Sequence, residues 1–226
     1  MDDCKTVIIY FHGNSEDVCG PMEMLKKMNR KLGTHSCIVE YPGYGIFYQN
    51  KESPINPQKM KEDGEVVYDF LTNQMGFEHK NVIVMGRSIG TGPAIYLASV
   101  KKQIKMLSLI SPYTSVEDLV VENAMGLSFF IKTREIKNDF RNKDIINKIE
   151  CPIVMIHGKR DRLIKPYHSE QLRRKAIINN HVYLHKPDKM THNDFDINND
   201  IIKPIEYLKN QLDNNQFDNN LSLIHI

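Results

Sequence analysis

Along the chain, short unbroken apolar runs alternate with longer stretches in which apolar positions recur every three or four residues. The runs occupy 7–11, 37–41, 82–85, 106–110, 153–156 and 181–184, and most are rich in β-branched residues. Unbroken rather than alternating apolar character predicts strands buried on both faces. The intervening stretches predict helices. Pro21 opens one and Gly33 stands just past its end, in keeping with proline in a first helical turn and glycine after a last one. Pro57 opens a second, whose Met60, Val67, Phe70, Leu71 and Met75 share a face before Gly76 stops it. Others are expected over 89–100, 166–178 and 201–212. Strands separated by helices imply an α/β fold, with a mostly parallel sheet covered on both sides.

One interruption breaks the rhythm. Residues 112–150 are too long for a plain crossover and carry the apolar L-S-F-F-I at 127–131, so they are expected to form a cap or lid over the sheet. A single domain over 1–212 is expected, followed by a polar tail at 213–226. The chain enters its first strand almost without lead-in. Its last six residues, L-S-L-I-H-I, fit no periodic pattern and can be encoded by a sequencing-library adapter, so they are set aside as non-native.

Composition narrows the classes of function. The 226 residues suffice for one substantial core. A net charge of +2 gives no electrostatic footprint for nucleic acid. The basic cluster Lys159, Arg160, Arg162 and Lys165 reads first as a solvated loop, and second as a guide toward an anionic surface or substrate. Four dispersed cysteines, Cys4, Cys19, Cys37 and Cys151, suggest neither a disulfide framework nor a zinc site. No apolar run approaches the roughly 20 residues of a membrane span, and no signal peptide is visible. A cytoplasmic protein is expected.

In open α/β sheets chemistry gathers at the carboxyl ends of strands. Those ends here carry H-G-N-S at 12–15, G-R-S-I-G at 86–90, H-G-K-R-D at 157–161 and M-T-H-N-D-F at 190–195. Ser88, Asp161 and His192 therefore follow three strands in the order Ser, Asp, His. A G-x-S-x-G between strand and helix is the signature of a nucleophile elbow, with the acid and the histidine later in the chain. The tight turn exposes the serine, and glycines at 86 and 90 avoid collisions with the neighbouring elements. The glycines fit neither a P-loop, lacking Gly-Lys-Ser/Thr, nor a dinucleotide fingerprint, since Ile95 stands where a third glycine belongs. Ser88 reads as nucleophile, His192 as general base and then acid, and Asp161 as the group fixing the imidazole's tautomer. The oxyanion hole is expected from the backbone N–H of Ile89 and from the loop at Asn14, with Ser15 behind it. His12 and His157 are expected to brace their turns, and Glu16 and Asp17 to serve as capping and turn residues.

The motifs F-H-G-N-S-E-D (11–17), E-Y-P-G-Y-G (40–45), V-I-V-M-G-R-S-I-G-T-G-P-A (82–94), S-P-Y-T-S (111–115), C-P-I-V-M-I-H-G-K-R-D-R-L-I (151–164) and T-H-N-D-F (191–195) extend over nearly the whole chain. On them the sequence resembles the α/β-hydrolase-domain serine hydrolases that include the membrane-associated protein depalmitoylases and their relatives in protists, fungi and plants. The resemblance implies the α/β-hydrolase fold and the triad Ser88, Asp161 and His192. It also implies ester or thioester cleavage with no metal or organic cofactor, on an acylated protein or lipid-like ester. Tyr44 is placed in the pocket wall, Tyr113 at the start of the cap, and Ser15 and Arg87 beside the substrate. The family's N-terminal hairpin and acylated cysteine-rich segment are missing from this sequence. The first strand would then lack one neighbour, and peripheral membrane contact is left to the full-length protein. The run after E-Y-P-G-Y-G departs from the family pattern, which leaves acyl-chain preference open. A small-ester carboxylesterase or aminopeptidase-like hydrolase is the nearer alternative, and a non-catalytic partner-binding module the farther one.

Overall fold

A computed structural model of the chain describes residues 4–14, 16–45, 56–122, 140–176 and 181–214. Each apolar run forms a strand: β1 (Thr6–Phe11), β2 (Thr34–Val39), β3 (Val82–Arg87), β4 (Met106–Ile110), β5 (Ile153–Ile156) and β6 (Val182–His185). They make one six-stranded sheet in the order β2-β1-β3-β4-β5-β6, and every pairing is parallel. Ile9, Val84, Leu107, Ile153 and Val182 share one row of the register and face one side. Tyr10, Met85, Val154 and Tyr183 belong to the adjoining row and face the other side. Both sides are covered, which is why no strand shows a polar alternation.

The first face packs against α2 (Pro57–Asp69) and α3 (Thr91–Val100), through residues such as Met60, Tyr68, Ile95 and Leu97. Leu172 of α6 (Tyr167–Lys175) joins the same cluster, as do Val116 and Leu119 of α4 (Val116–Glu122). The second face receives Met24, Leu25, Met28 and Leu32 of α1 (Met22–Leu32). It also receives Ile205 and Leu208 of α7 (Lys203–Asp213), with Ile201 and Ile202 from the π-helical turn Ile197–Ile202 before it. A short α5 (Asn142–Ile145) precedes β5. Among the described residues, no helix is long and apolar enough to cross a membrane.

Two expectations change. The face proposed for the second helix is only partly right: Met60 and Leu71 are buried and Val67 half-buried, but Phe70 and Met75 are 46% and 59% exposed. Residues Phe70–Gln74 form a π-helical turn, which rotates later side chains away from an α-helical phase. The buried stripe is Met60, Gly64, Tyr68 and Leu71 instead. The first strand does not lack a neighbour either. β1 lies between β2 and β3, and β2 and β6 are the edges among the described residues.

Leaving β1, the chain crosses to β2 on one side and then to β3 on the other. The crevice outside the carboxyl ends of β1 and β3 is therefore the topological switch point, where open α/β sheets bind ligands. Of the interruption at 112–150, the described parts are α4, α5 and their flanks. The apolar segment 127–131, on which the expected cap rests, lies outside the described residues.

Candidate active site

Ser88 follows the last residue of β3 with φ at 52°, in the left-handed region that a serine rarely adopts. The chain then turns through the short 3-10 segment Ser88–Gly90 into α3. A Cβ at Gly90 would overlap the carbonyl oxygen of Phe11, and one at Gly86 would lie 2.8 Å from the Ala94 side chain. Both flanking glycines are thus required by close approach. The Thr91 hydroxyl donates to the Ser88 carbonyl at 2.7 Å and helps close the turn.

Two other strand ends converge on this turn. His192, on the loop after β6, places Nε2 3.1 Å from the Ser88 hydroxyl and Nδ1 2.8 Å from Asp161 Oδ2. Asp161, on the turn after β5, accepts from the backbone N–H groups of Leu163 and Ile164 through Oδ1, at 3.0 and 2.9 Å. With an ionised carboxylate as acceptor, His192 carries its proton on Nδ1 and turns a lone pair toward Ser88. All three side chains are buried: Ser88 is 3%, Asp161 4% and His192 8% exposed. The loop that carries His192 is tied to the turn after β5 by Lys159 N–H to the Pro187 carbonyl and Arg160 N–H to the Met190 carbonyl. Asp188 is instead exposed and paired with Lys159, and Asp194 closes a turn with Thr191.

Asn14, Glu16, Arg87, Ser88, Leu163, His192, Asn193 and Phe195 line a cleft of about 440 Å³. Asn14 and Ser88 both line it, and Ile89 lies in the first helical turn after Ser88, whose leading N–H groups have no acceptor within the helix. A roomier groove of about 990 Å³ runs between β6 and α7, and none of the three residues lines it.

The expected substrate contacts fare less well. Ser15 lies outside the described residues. Tyr44 is not in the cleft lining; its hydroxyl donates to Asn14 Oδ1 at 2.6 Å, so it holds Asn14 rather than substrate. Tyr113 is fully buried, with its hydroxyl reaching the Ile89 carbonyl and its own carbonyl accepting from Asn142. It packs under the elbow as core. Arg87 lines the cleft, but Nη1 pairs with Glu16 and Nη2 donates to the His192 carbonyl at 2.8 Å and to Asn193 Oδ1 at 2.9 Å. Pattern reading assigned no role to Asn193 or Phe195, and gave Glu16 only a turn role. The signal available was their place inside H-G-N-S-E-D and T-H-N-D-F. His12 and His157 do brace turns: His12 bridges the Gly13 carbonyl and Glu40, and His157 Nε2 donates to the Ile164 carbonyl at 2.8 Å.

Comparisons with known proteins give this geometry a context. No family model matches the chain. Protein L404 of Acanthamoeba polyphaga mimivirus is 30% identical over 73% of the chain and 59% of its own length. The α/β hydrolase domain-containing protein 17B of Homo sapiens is 26% identical over 72% of the chain and 52% of its own length. The chain thus spans about three-fifths or less of these relatives. The esterase Pf2001 of Pyrococcus furiosus superposes with a TM-score of 0.69 at 18% identity, over 94% of this chain and 80% of that one. A 2,6-dihydroxy-pseudo-oxynicotine hydrolase gives 0.70 at 16% identity, over 96% of this chain and 60% of that one. The chain has the α/β-hydrolase fold.

Within that fold, the acid of this α/β-hydrolase-fold protein is held as an anion. Burial alone would raise the Asp161 carboxyl, but hydrogen bonds from His157 and His192 and the backbone N–H of Ile164 hold it well below the ordinary carboxylate range. Further back lies another buried imidazole. His168 Nδ1 accepts from the Thr114 N–H at 3.3 Å, while Nε2 lies 3.3 Å from Glu122. Burial, with the neighbouring His157, pushes His168 down to about 4 from 6.5. Among the described residues, no cluster of histidine, cysteine or carboxylate side chains is arranged to hold a metal ion.

A pH dependence of stability follows. Between pH 6.5 and 4 the unfolded chain protonates His168 while the folded chain refuses the proton, so stability falls as pH is lowered through that window. The cost is about 3 kcal/mol at its fullest. Asp161 adds to the loss further down, because its stabilising ionised form is lost as pH falls below the unfolded carboxylate range. His168→Asn keeps an acceptor for Thr114 without titrating. Its thermal midpoint should fall less than that of the wild type between pH 7 and pH 4.5, by several degrees. Parallel slopes for the two proteins would remove His168 as the cause.

Proposed function

We propose that the protein is a serine hydrolase that cleaves a carboxylic ester or thioester through an acyl-enzyme. The observation that carries this reading is the bridge made by His192, 3.1 Å from the Ser88 hydroxyl and 2.8 Å from the Asp161 carboxylate, at the switch point of the sheet. Ser88 Oγ attacks the acyl carbon as its proton passes to His192 Nε2. The oxyanion that forms is stabilised by the Ile89 N–H and by the loop at Asn14. Collapse expels the alcohol or thiol, which takes the proton from His192. Water, activated by the same imidazole, then releases the acid and restores Ser88.

Substrate class follows from two different observations. The motifs shared with the depalmitoylases favour an acyl-protein thioesterase or a lipid-type esterase. The lining of the cleft favours a smaller acyl group, since Leu163 and Phe195 are its only apolar members among the described residues. The loop departure after Gly45 falls on residues outside that description. A fluorophosphonate probe tests the chemistry. The protein should be modified once, on the peptide that contains Ser88, with fluoride displaced from phosphorus by Oγ. Modification elsewhere, or none, overturns the reading. A series of p-nitrophenyl esters and acyl thioesters of increasing chain length then ranks the two substrate classes.

A further inference from the structure

Arg87 is the residue immediately before the nucleophile, and although it lines the cleft its Nη donors are directed to protein acceptors. The residue is only 7% exposed, and its guanidinium is shared between two loops. On one side Nη1 pairs with Glu16, whose other oxygen accepts the Gly13 N–H at 2.6 Å. On the other, Nη2 donates to the His192 carbonyl and to Asn193 Oδ1, and the guanidinium carbon lies 5.7 Å above the Phe195 ring. A Cβ on Gly13 would come within 3.0 Å of Nη1, so glycine there lets the guanidinium approach the loop backbone. One side chain, rooted on the strand that carries Ser88, thus grips both the Gly13–Glu16 loop beside Asn14 and the loop that carries His192.

We infer that Arg87 and Glu16 form a positioning clamp. It holds the base and the oxyanion loop in register with the nucleophile, rather than offering a positive charge to substrate. The inference rests on the serine-hydrolase reading above. Physically, the planar fork is what the task needs. Arginine presents several donors in fixed directions and can serve three acceptors at once, whereas lysine offers one compact ammonium. Glu16 neutralises the guanidinium close to the cleft. A displacement of about 1 Å in a reacting group costs on the order of 10²-fold in rate, so a clamp of this kind is read in kcat.

The test uses Arg87→Met, Arg87→Lys, Glu16→Gln and the Arg87→Met/Glu16→Gln pair, with a short-chain ester and the fluorophosphonate. Arg87→Met should lower kcat and the labelling rate at Ser88 by about 10²-fold, with KM changed by no more than about 3-fold. Arg87→Lys should recover part of the loss. Glu16→Gln should cost about 10-fold alone and almost nothing further on top of Arg87→Met, because coupled residues are not additive. Raised KM with unchanged kcat would make Arg87 a substrate contact, and additive losses would dissolve the clamp. If Arg87→Met fails to fold, Arg87→Lys and Glu16→Gln carry the same test of kcat against KM. An unlabelled wild type would instead strike the hydrolase reading itself, which keeps the two failures distinct.

Discussion

Replacing Ser88 with alanine or with glycine should abolish turnover alike, by about 10⁴–10⁶-fold in kcat, but the two variants should differ in stability. Both lose the hydroxyl that faces His192, so the attack on the acyl carbon has no nucleophile. They part at the backbone. With φ at 52°, residue 88 sits where an L side chain is strained and glycine is not. Alanine keeps the Cβ and therefore the strain, whereas glycine releases it. Against this, glycine has more freedom to lose on folding, which offsets part of the gain. The glycine variant should melt higher than the alanine variant by about 1 kcal/mol, or roughly 2–4 °C for a chain of this size. Thermal denaturation of the two proteins side by side reads the difference directly. Equal midpoints would mean that the elbow stores no strain, and ester turnover within about 10²-fold of wild type in either variant would remove Ser88 as nucleophile.

The same residue shows how far the apolar pattern fixes position in space. Ser88, Asp161 and His192 each follow an apolar run, and the run marks the strand that delivers them. Parallel packing then decides that the three strand ends point the same way, so chain order alone brings them near each other. The strands themselves are legible because burial on both faces leaves an unbroken apolar signal. β2 is the instructive exception. It begins at Thr34, but His35 and Ser36 are exposed or half-buried at the sheet edge, so the apolar signal starts only at Cys37. In α2 the sequence pattern is misleading for a different reason. A π-helical turn opens at Phe70 and adds a residue to the local period, so Met75 looks buried on an ideal wheel while lying at the surface; Phe70 itself stands on the flank of the buried stripe.

What pattern could not reveal was pairing between distant loops. Arg87 meets Glu16 across 71 positions and Asn193 across 106, and no periodicity encodes such a meeting. An arginine beside a candidate nucleophile reads as a substrate contact until its partners are known. Tyr44 and Tyr113 illustrate the same limit: both belong to motifs near the site, yet one hydroxyl holds Asn14 and the other lies in the core. Motifs identify neighbourhoods, and only the fold assigns directions within them.

Asp161→Asn should reduce kcat by about 10³–10⁴-fold while leaving the fold in place, and the hydrogen bonds around position 161 say why. Oδ1 is occupied by the N–H groups of Leu163 and Ile164, which demand an acceptor. In the variant, the amide oxygen must stay there, so its NH2 group faces His192 Nδ1. A donor at that place requires Nδ1 to accept, which moves the imidazole proton to Nε2. His192 would then present a hydrogen rather than a lone pair to Ser88 and could not take its proton. His157 reinforces this outcome. Its Nε2 lies 3.5 Å from Oδ2 and carries a proton directed to the Ile164 carbonyl, so it offers the amide no acceptor on that side. The two carboxylates nearest in sequence to His192 offer no substitute, since Asp188 is drawn to Lys159 at 2.6 Å and Asp194 closes the turn with Thr191. Ester turnover measured beside near-ultraviolet circular dichroism separates lost chemistry from lost structure. Near-wild-type turnover in a folded Asp161→Asn protein would mean that the tautomer of His192 is set by some other group, and the bridge from hydroxyl to carboxylate would no longer account for the reaction.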